Sequence, residues 1–159
     1  MVGKEYLKKV GFLKDLPDSI LEKIGAISQL ETFDEESLLF RQNQEKALLY
    51  MLISGKVFLN SRSATGKSLT LDEVTPGRTF GVSTLLGGGH ASTFTAICAE
   101  TSTMITVSGE QMRQLFLEDF EIGHAIMLRV VRLFKLRMEM HTRQFLHSLA
   151  NHPEIRESV

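Results

Sequence analysis

The stretch that decides the fold is LYMLISGKV, residues 49–57, in which an apolar run is followed by a Ser-Gly turn and a second apolar position. Glycine adopts the positive φ of a tight turn at little steric cost, so this stretch predicts a hairpin between two strands. Short alternating runs separated by turn residues continue on both sides, over about residues 30–108. Roughly seven or eight short strands without a long helix between them predict an antiparallel β-roll or jelly roll.

Helical patterns flank this region at both ends. Apolar residues recur at helical spacing over about residues 5–28, interrupted at Pro17, and they predict short N-terminal helices. The helical period returns over about residues 109–150, where no glycine or proline interrupts the chain between Gly123 and Pro153. A helix of roughly thirty residues is predicted there. We therefore expect a single domain over residues 1–159, mainly β with α-helices at both ends.

Composition narrows the class of protein. The chain has 159 residues, 43% of them hydrophobic, and a formal net charge of −1. A chain of this size can bury a core without disulfides, and its overall field does not recruit nucleic acid. Cys98 is the only cysteine, and no apolar run approaches the length of about eighteen residues that spans a membrane. We expect a cytoplasmic protein that does not enter membranes.

The sequence offers no catalytic constellation. We find no Ser/His/Asp, Cys/His or paired-carboxylate arrangement that suits a pocket, so an enzyme is not expected. His90 has no second histidine at metal spacing in the β-region, and no metal site is expected. The stretch ATGKS, residues 64–68, ends like a phosphate-binding P-loop, but Ser61 stands where the first glycine belongs. It also lies between two strands rather than between strand and helix, and it predicts a hairpin.

The order of helices, β-roll and long C-terminal helix, together with LYMLISGKV and PGRTFG at residues 76–81, resembles the cyclic-nucleotide-binding domain family. This family includes bacterial catabolite-activator-type regulators and kinase regulatory subunits, and the resemblance covers about residues 12–150. In the family a short helix follows Phe-Gly and forms a phosphate-binding cassette. A Glu after the Gly holds the ribose hydroxyl, and a downstream Arg pairs with the cyclic phosphate. The resemblance therefore implies cAMP or cGMP as a possible ligand.

The chain departs from the family at both charged positions. Val82 stands at the Glu position, and Ser92 falls at the Arg position, although a two-residue slip would place His90 there. No Arg or Lys lies between Arg78 and Arg113. Losing a charged hydrogen bond costs roughly 1.5–3 kcal/mol, or about ten- to a hundredfold in affinity. A nucleotide would then be held by amides and hydroxyls.

The ligand-binding residues that we expect are those at the cassette and its return strand: Phe80, Gly81, Val82, Ser83, Thr84, Leu85, Ser92 and Thr93. Several bacterial members of the superfamily resemble this variant, and Thr95 matches their pattern as well. The hydroxyls suit a phosphate or a sugar; equally, threonines suit strands and Ser83 suits a helix cap. The Gly87–Gly89 segment is either a flexible lid over the ligand or a long turn.

Two glycines of the family are replaced early in the β-region, one by Glu35 or Glu36 and another by Asn43. Asparagine tolerates the left-handed region better than most residues. We therefore expect the turn at Asn43 to persist without glycine.

The long C-terminal helix carries two apolar stripes. The first contains Ile126, Val130, Leu133 and Met140, and a second stripe adjoins it. One stripe can cover the β-roll while the other packs on a second copy of the chain. We predict a homodimer through the residues of this second stripe: Met127, Val131, Phe134, Met138 and Phe145. The alternative is that a monomer covers both stripes.

The same helix is locally basic, which suits an acidic partner, nucleic acid or a solvated face. No recognition helix follows it before Val159, so DNA binding by this chain is not expected.

Two hypotheses for the function of the chain remain. The first is a regulatory or sensor module in which a small ligand at the cassette shifts the C-terminal helix. The second is a degenerate domain without a nucleotide, which serves as a dimerisation or protein-docking platform.

Overall fold

The computed structural model describes residues 1–89 and 91–151 of the chain. It has an N-terminal helical part, eight strands, and two C-terminal helices. The α-helices are α1 (Lys4–Leu7), α2 (Asp18–Ala26), α3 (Gly109–Glu118) and α4 (Phe120–Ala150). The strands are β1 (Ser28–Phe33), β2 (Leu38–Phe40), β3 (Leu48–Ser54), β4 (Val57–Arg62), β5 (Ser68–Val74), β6 (Thr79–Phe80), β7 (Thr95–Cys98) and β8 (Ser102–Ser108). Two 3₁₀ helices cover Gly11–Leu13 and Val82–Leu86, and we call the second the cassette helix.

The strands form two four-stranded sheets in which all pairs are antiparallel. The first has the order β1-β8-β3-β6 and the second β2-β7-β4-β5. This arrangement is a β-roll flanked by helices and confirms the predicted fold class. The predicted hairpin at residues 64–68 is also present, because β4 pairs with β5 and the Ser63 amide bonds to the Lys67 carbonyl at 2.9 Å.

The hairpin predicted at Ser54-Gly55 is wrong. The turn joins two strands as expected, but β3 pairs with β8 and β6, whereas β4 pairs with β5 and β7. The chain therefore crosses from one sheet to the other at Gly55, whose φ is +100°. The crossing is fixed by Ser102 at the start of β8, whose Oγ accepts from the Lys56 amide at 3.1 Å. Alternation of side chains predicts a strand but does not say which strand is its neighbour.

The core lies between the inner faces of the two sheets. Leu52 and Met104 from the first sheet and Leu59 and Ala96 from the second are all buried. An aromatic group closes one end of this core: Phe40, Tyr50, Phe80 and Phe94. Tyr50 stacks on Phe80 with ring centroids 4.9 Å apart and planes 6° apart, an arrangement that adds to the area the two rings bury.

The N-terminal helices pack as the apolar spacing predicted. Leu7, Leu21 and Ile24 are buried, and Pro17 immediately precedes the first residue of α2. The Gly11 amide donates to the Gly77 carbonyl at 2.9 Å, which ties this part to the turn before β6. The N-terminal end of the β-roll is therefore covered by helices that the sequence placed correctly.

The chain divides into two compact units, Met1–Gly123 and a second that begins at His124. The first unit contains the helical N-terminus, both sheets, α3 and the start of α4. The second contains the rest of α4, a single helix as far as Ala150. Across the described residues, none of the helices is both long and apolar enough to cross a membrane. A single domain over the whole chain stays a prediction.

Candidate ligand site

The entrance to the cassette depends on a glycine. β6 pairs with β3, and the chain then turns through Gly81, whose φ of +76° lies in the left-handed region, into the cassette helix. A Cβ atom at this position would lie 2.8 Å from the Leu48 carbonyl oxygen. Glycine is therefore required twice here, for backbone conformation and for space. The short helix that the resemblance implied after Phe-Gly is present.

Most of the cassette helix faces the core. Val82 is 1% exposed, and Phe80 and Leu85 are buried beside it. The residue at the family's Glu position therefore packs inside the protein as an apolar side chain. Thr84 is also buried, and its Oγ1 donates to the Lys46 carbonyl at 3.0 Å. Ser83 is the half-buried hydroxyl of the helix and lines a cavity beside it.

Ser92, at the family's Arg position, has a structural role. It is 1% exposed, and its Oγ donates to the Phe94 carbonyl at 2.6 Å and accepts from the Phe94 amide at 3.2 Å. Its backbone accepts from Asn43 at 2.7 Å and donates to Gln44 at 2.8 Å. Ser92 therefore fastens the return of the cassette to the segment after β2. The Asn43 turn has a φ of +68°, as expected for a residue that replaces glycine.

The remaining predicted hydroxyl groups do not share one site. The Oγ1 atom of Thr95 accepts from the Gln42 amide at 2.9 Å, so it also stabilises the segment after β2. Thr93 is exposed, and its carbonyl accepts from the Ser61 hydroxyl at 3.2 Å. His90, the alternative to Ser92, lies outside the described residues. Of the expected hydroxyls, Ser83 is exposed to the cavity and Thr93 to solvent.

The cavity beside the cassette helix has a volume of about 230 Å³. It lies within the first unit, between the segment before β3, the cassette helix with the glycines that follow it, and the start of α3. Its charged lining residues are Glu45, Lys46, Glu110 and Arg113. Two cations and two carboxylates thus line the same cavity as Ser83.

Arg113 is the functional candidate that sequence reasoning missed. It projects from α3 to the cassette, where its Nη1 donates a hydrogen bond to the Thr84 carbonyl. Its guanidinium also lies against Gly87, where an added Cβ would meet Arg113 Nε at 3.3 Å. The only available signal was that Arg113 is the first cation after Arg78. Nothing in the spacing shows that residues 84 and 113 meet in space.

Lys46 lies above the aromatic end of the core. Its ammonium is 4.9 Å from the centre of the Phe94 ring and 5.4 Å from that of Phe40, within the range of cation–π attraction. Beneath these rings, burial foremost raises the pKa of Tyr50 to about 12, and the Tyr50 hydroxyl donates to the Leu39 carbonyl at 3.4 Å. The Lys46 ammonium, one of the two cations that line the cavity, thus lies next to neutral aromatic rings.

The comparison with protein families identifies the class. The family described as "Cyclic nucleotide-binding domain" matches residues 30–119, which is more than half of the chain. The chain therefore belongs to the cyclic nucleotide-binding domain family. The match begins in β1 and ends just after α3, so it includes both sheets and the cassette helix. Among curated proteins, no significant match was found.

Solved structures agree on the fold. A protein from Geobacter metallireducens assigned to cyclic nucleotide binding is 28% identical, with a TM-score of 0.73 over 87% of this chain and 99% of that one. The regulatory subunit of a cAMP-independent protein kinase A from Trypanosoma brucei is 16% identical, with a TM-score of 0.70 over 91% of this chain and 49% of that one. The regulatory domain of Toxoplasma gondii protein kinase A, crystallised with cAMP, is 14% identical, with a TM-score of 0.69 over 84% and 49%. The chain thus has a fold that regulatory domains use.

Proposed function

We propose that this chain is a regulatory domain that binds a small ligand at the cassette cavity and passes the signal to its C-terminal helix. The observation that carries the proposal is the hydrogen bond from Arg113 of α3 to the Thr84 carbonyl of the cassette helix. Only Asp119 separates α3 from α4. A ligand that draws the Arg113 guanidinium away from Thr84 therefore moves the element that leads directly into the long helix.

The charges of the cavity lining balance, with Glu45 and Glu110 beside two cations, so an anionic ligand would be recognised by direct contact with those cations and not by net charge. Lys46 and Arg113 supply positive charge, and guanidinium groups recognise phosphate and carboxylate through paired hydrogen bonds. A cyclic nucleotide, cAMP or cGMP, is the first candidate because of the family. The volume of about 230 Å³ lies below the roughly 300–1,000 Å³ typical of small-molecule sites. A nucleotide therefore requires the Gly87–Gly89 segment to move outward as a lid.

The test is isothermal titration with cAMP and cGMP, followed by hydrogen exchange with the same ligands. Because a ligand shifts an equilibrium only by its differential affinity for the two states, binding must change protection in α3 and α4 as well as in the cassette. Micromolar binding with altered exchange over residues 109–149 supports the proposal. Binding that leaves exchange in both helices unchanged contradicts the coupling.

Matched charge variants locate the site. Arg113→Gln removes a cation of the cavity and is expected to weaken binding about tenfold, as the loss of one charged hydrogen bond does. Lys67→Gln also removes one positive charge, between β4 and β5 and away from the cavity lining. Equal losses in the two variants would mean that the ligand responds only to net charge.

A second candidate function is a dimerisation or docking platform that binds no nucleotide. Its support is that Val82 is packed in the core and that Ser92 is engaged in hydrogen bonds, so neither is free to contact a ligand. The relative from Trypanosoma brucei, described as part of a cAMP-independent kinase, uses the same fold. No heat with millimolar cAMP or cGMP would favour this function over the first.

Either function accommodates a homodimer through α4. Val131, Met138 and Phe145 are spaced one heptad apart and are 62%, 67% and 63% exposed, while Met127 and Phe134 are half-buried. We expect light scattering to give a dimer, and Met138→Asp to raise the dissociation constant about a hundredfold because a carboxylate would be buried at the seam. Arg132→Asp, which adds the same carboxylate at an exposed polar position, is the control. A monomeric wild-type chain would contradict this arrangement.

We also propose a non-catalytic role in the cytoplasm, without membrane insertion. The support is the single cysteine, Cys98, and the absence from the sequence of a catalytic constellation. These points stay predictions.

A further inference from the structure

A second cleft lies on the outer face of the β2-β7-β4-β5 sheet. It has a volume of about 680 Å³, and it shares no lining residue with the cassette cavity. Asn60 and Thr95 face each other across the β4–β7 pair, and their strand neighbours Leu59 and Ala96 are buried. Since side chains alternate along a strand, Asn60 and Thr95 point away from the core. The cleft therefore belongs to the outside of the roll.

The charge of this cleft is one-sided. Its lining holds Arg41 and Arg62, and in the described part of the chain every other lining side chain is uncharged. Among the described residues neither guanidinium has an ion pair. Arg78 shows the contrast, because its two terminal nitrogens bond to both carboxylate oxygens of Asp72, at 3.1 and 2.6 Å. Two unpaired guanidiniums at one cleft are a ready receptor for an anion.

Hydrogen bonds hold the backbone segments that carry Arg41 and Arg62. Arg41 begins the turn after β2, and three hydrogen bonds hold this turn to β4, to β7 and to the segment before β7. The Gln42 amide donates to Thr95 Oγ1 at 2.9 Å, and the Arg62 amide donates to Gln42 Oε1 at 2.9 Å. The Asn43 amide donates to the Ser92 carbonyl at 2.7 Å. The backbone that bears Arg41 is thereby tied to the strand that bears Arg62, which lowers the entropic cost of binding one ligand with both.

We propose that this cleft binds the phosphate group of a small phosphorylated molecule through Arg41 and Arg62. A phosphate offers several oxygens to two guanidiniums at once, with no carboxylate in the lining to repel it. The volume of about 680 Å³ falls within the roughly 300–1,000 Å³ of small-molecule sites. The amide and hydroxyl lining, including Asn60 and Ser63, suits a hydroxyl-rich remainder such as a sugar.

The test is a titration of the full chain followed by amide NMR shifts, with inorganic phosphate, glucose 6-phosphate and glucose as probes. We expect saturable shifts at the amides of residues 41–43, 60–63 and 95 with both phosphates. Tighter binding of glucose 6-phosphate identifies a phosphorylated metabolite, whereas equal binding identifies free phosphate. Shifts of the same size with glucose alone would overturn the proposal.

Variants distinguish specific binding of phosphate in the cleft from general attraction of phosphate to positive charge. Arg41→Gln and Arg62→Gln should each weaken phosphate binding about tenfold. Lys67→Gln removes the same charge from the tip of the β4–β5 hairpin, outside the cleft lining, and should leave binding unchanged. An equal loss in Lys67→Gln would overturn the proposal. Because the shifts are read at residues 41–43, 60–63 and 95, none of which lines the cassette cavity, failure here is distinguishable from failure of the cassette proposal.

Discussion

The residues that lead into the cassette helix match the family pattern, whereas the two positions of its charged ligand contacts do not. Thr79 and Phe80 pair with β3, Phe80 stacks on Tyr50, and Gly81 turns the chain into the cassette helix. Val82 and Ser92 stand where the family places its charged ligand contacts, yet one fills the core and the other bonds to its own loop. The comparison teaches that the residues that build this fold are separable from those that hold its usual ligand.

Reinstating the family's carboxylate gives the largest expected effect. Val82→Glu places an ionisable group at a position that is 1% exposed, and should lower the free energy of unfolding by about 3–4 kcal/mol instead of restoring a sugar contact. Urea unfolding measures it. Ser83→Glu shifts the same carboxylate by one residue to the half-buried cavity wall and should change stability far less. Equal stability of the two variants would mean that Val82 is not packed as described.

Replacing Gly81, at the entrance to the cassette helix, should lower the free energy of unfolding nearly as much. Gly81→Ala forces an alanine into a φ of +76° and sets its Cβ against the Leu48 carbonyl, so we expect a loss of about 2–3 kcal/mol. Gly66→Ala is the matched control, because Gly66 has a φ of +85° but nothing within 4 Å of the added Cβ. Its loss should be about 1 kcal/mol, the backbone cost alone. A control as damaging as Gly81→Ala would remove the steric part of the argument.

The same comparison explains what the sequence could predict. Alternation is a local property, so the strands could be predicted from the residues alone, whereas the cassette helix and the left-handed turn at Asn43 were implied by the family resemblance. The sheet change at Gly55 could not be predicted, because alternation along β3 does not name its neighbour. Arg113 was missed for a similar reason, since its bond to Thr84 joins residues far apart in the chain. Which face Val82 presents depended on packing that only the structure shows.

The link between α3 and the cassette should make a smaller contribution to stability. Arg113→Gln removes the donor to the Thr84 carbonyl and should cost about 1 kcal/mol. Its clearer signature is faster amide exchange in the cassette helix and α3 together, with exchange in α2 unchanged. Arg113→Lys keeps the charge but lacks the guanidinium fork, so it should resemble Arg113→Gln if geometry matters. Recovery of wild-type exchange by the lysine would instead show that charge alone suffices.

The smallest change in stability at neutral pH is expected at Tyr50, in the aromatic group near Lys46. Its contribution to the pH dependence of stability becomes measurable only in alkaline solution. Burial raises the pKa of Tyr50 from 10.0 to about 12, so the folded state holds the phenol proton more tightly than the unfolded chain. This contribution is fully present below pH 10 and is lost as the pH rises toward 12. Tyr50→Phe should therefore flatten the fall in stability between pH 10 and 12 in urea unfolding. The Tyr50→Phe variant keeps the ring that stacks on Phe80. If its free energy of unfolding fell between pH 10 and 12 as steeply as that of the wild type, the Tyr50 hydroxyl would be accessible to solvent.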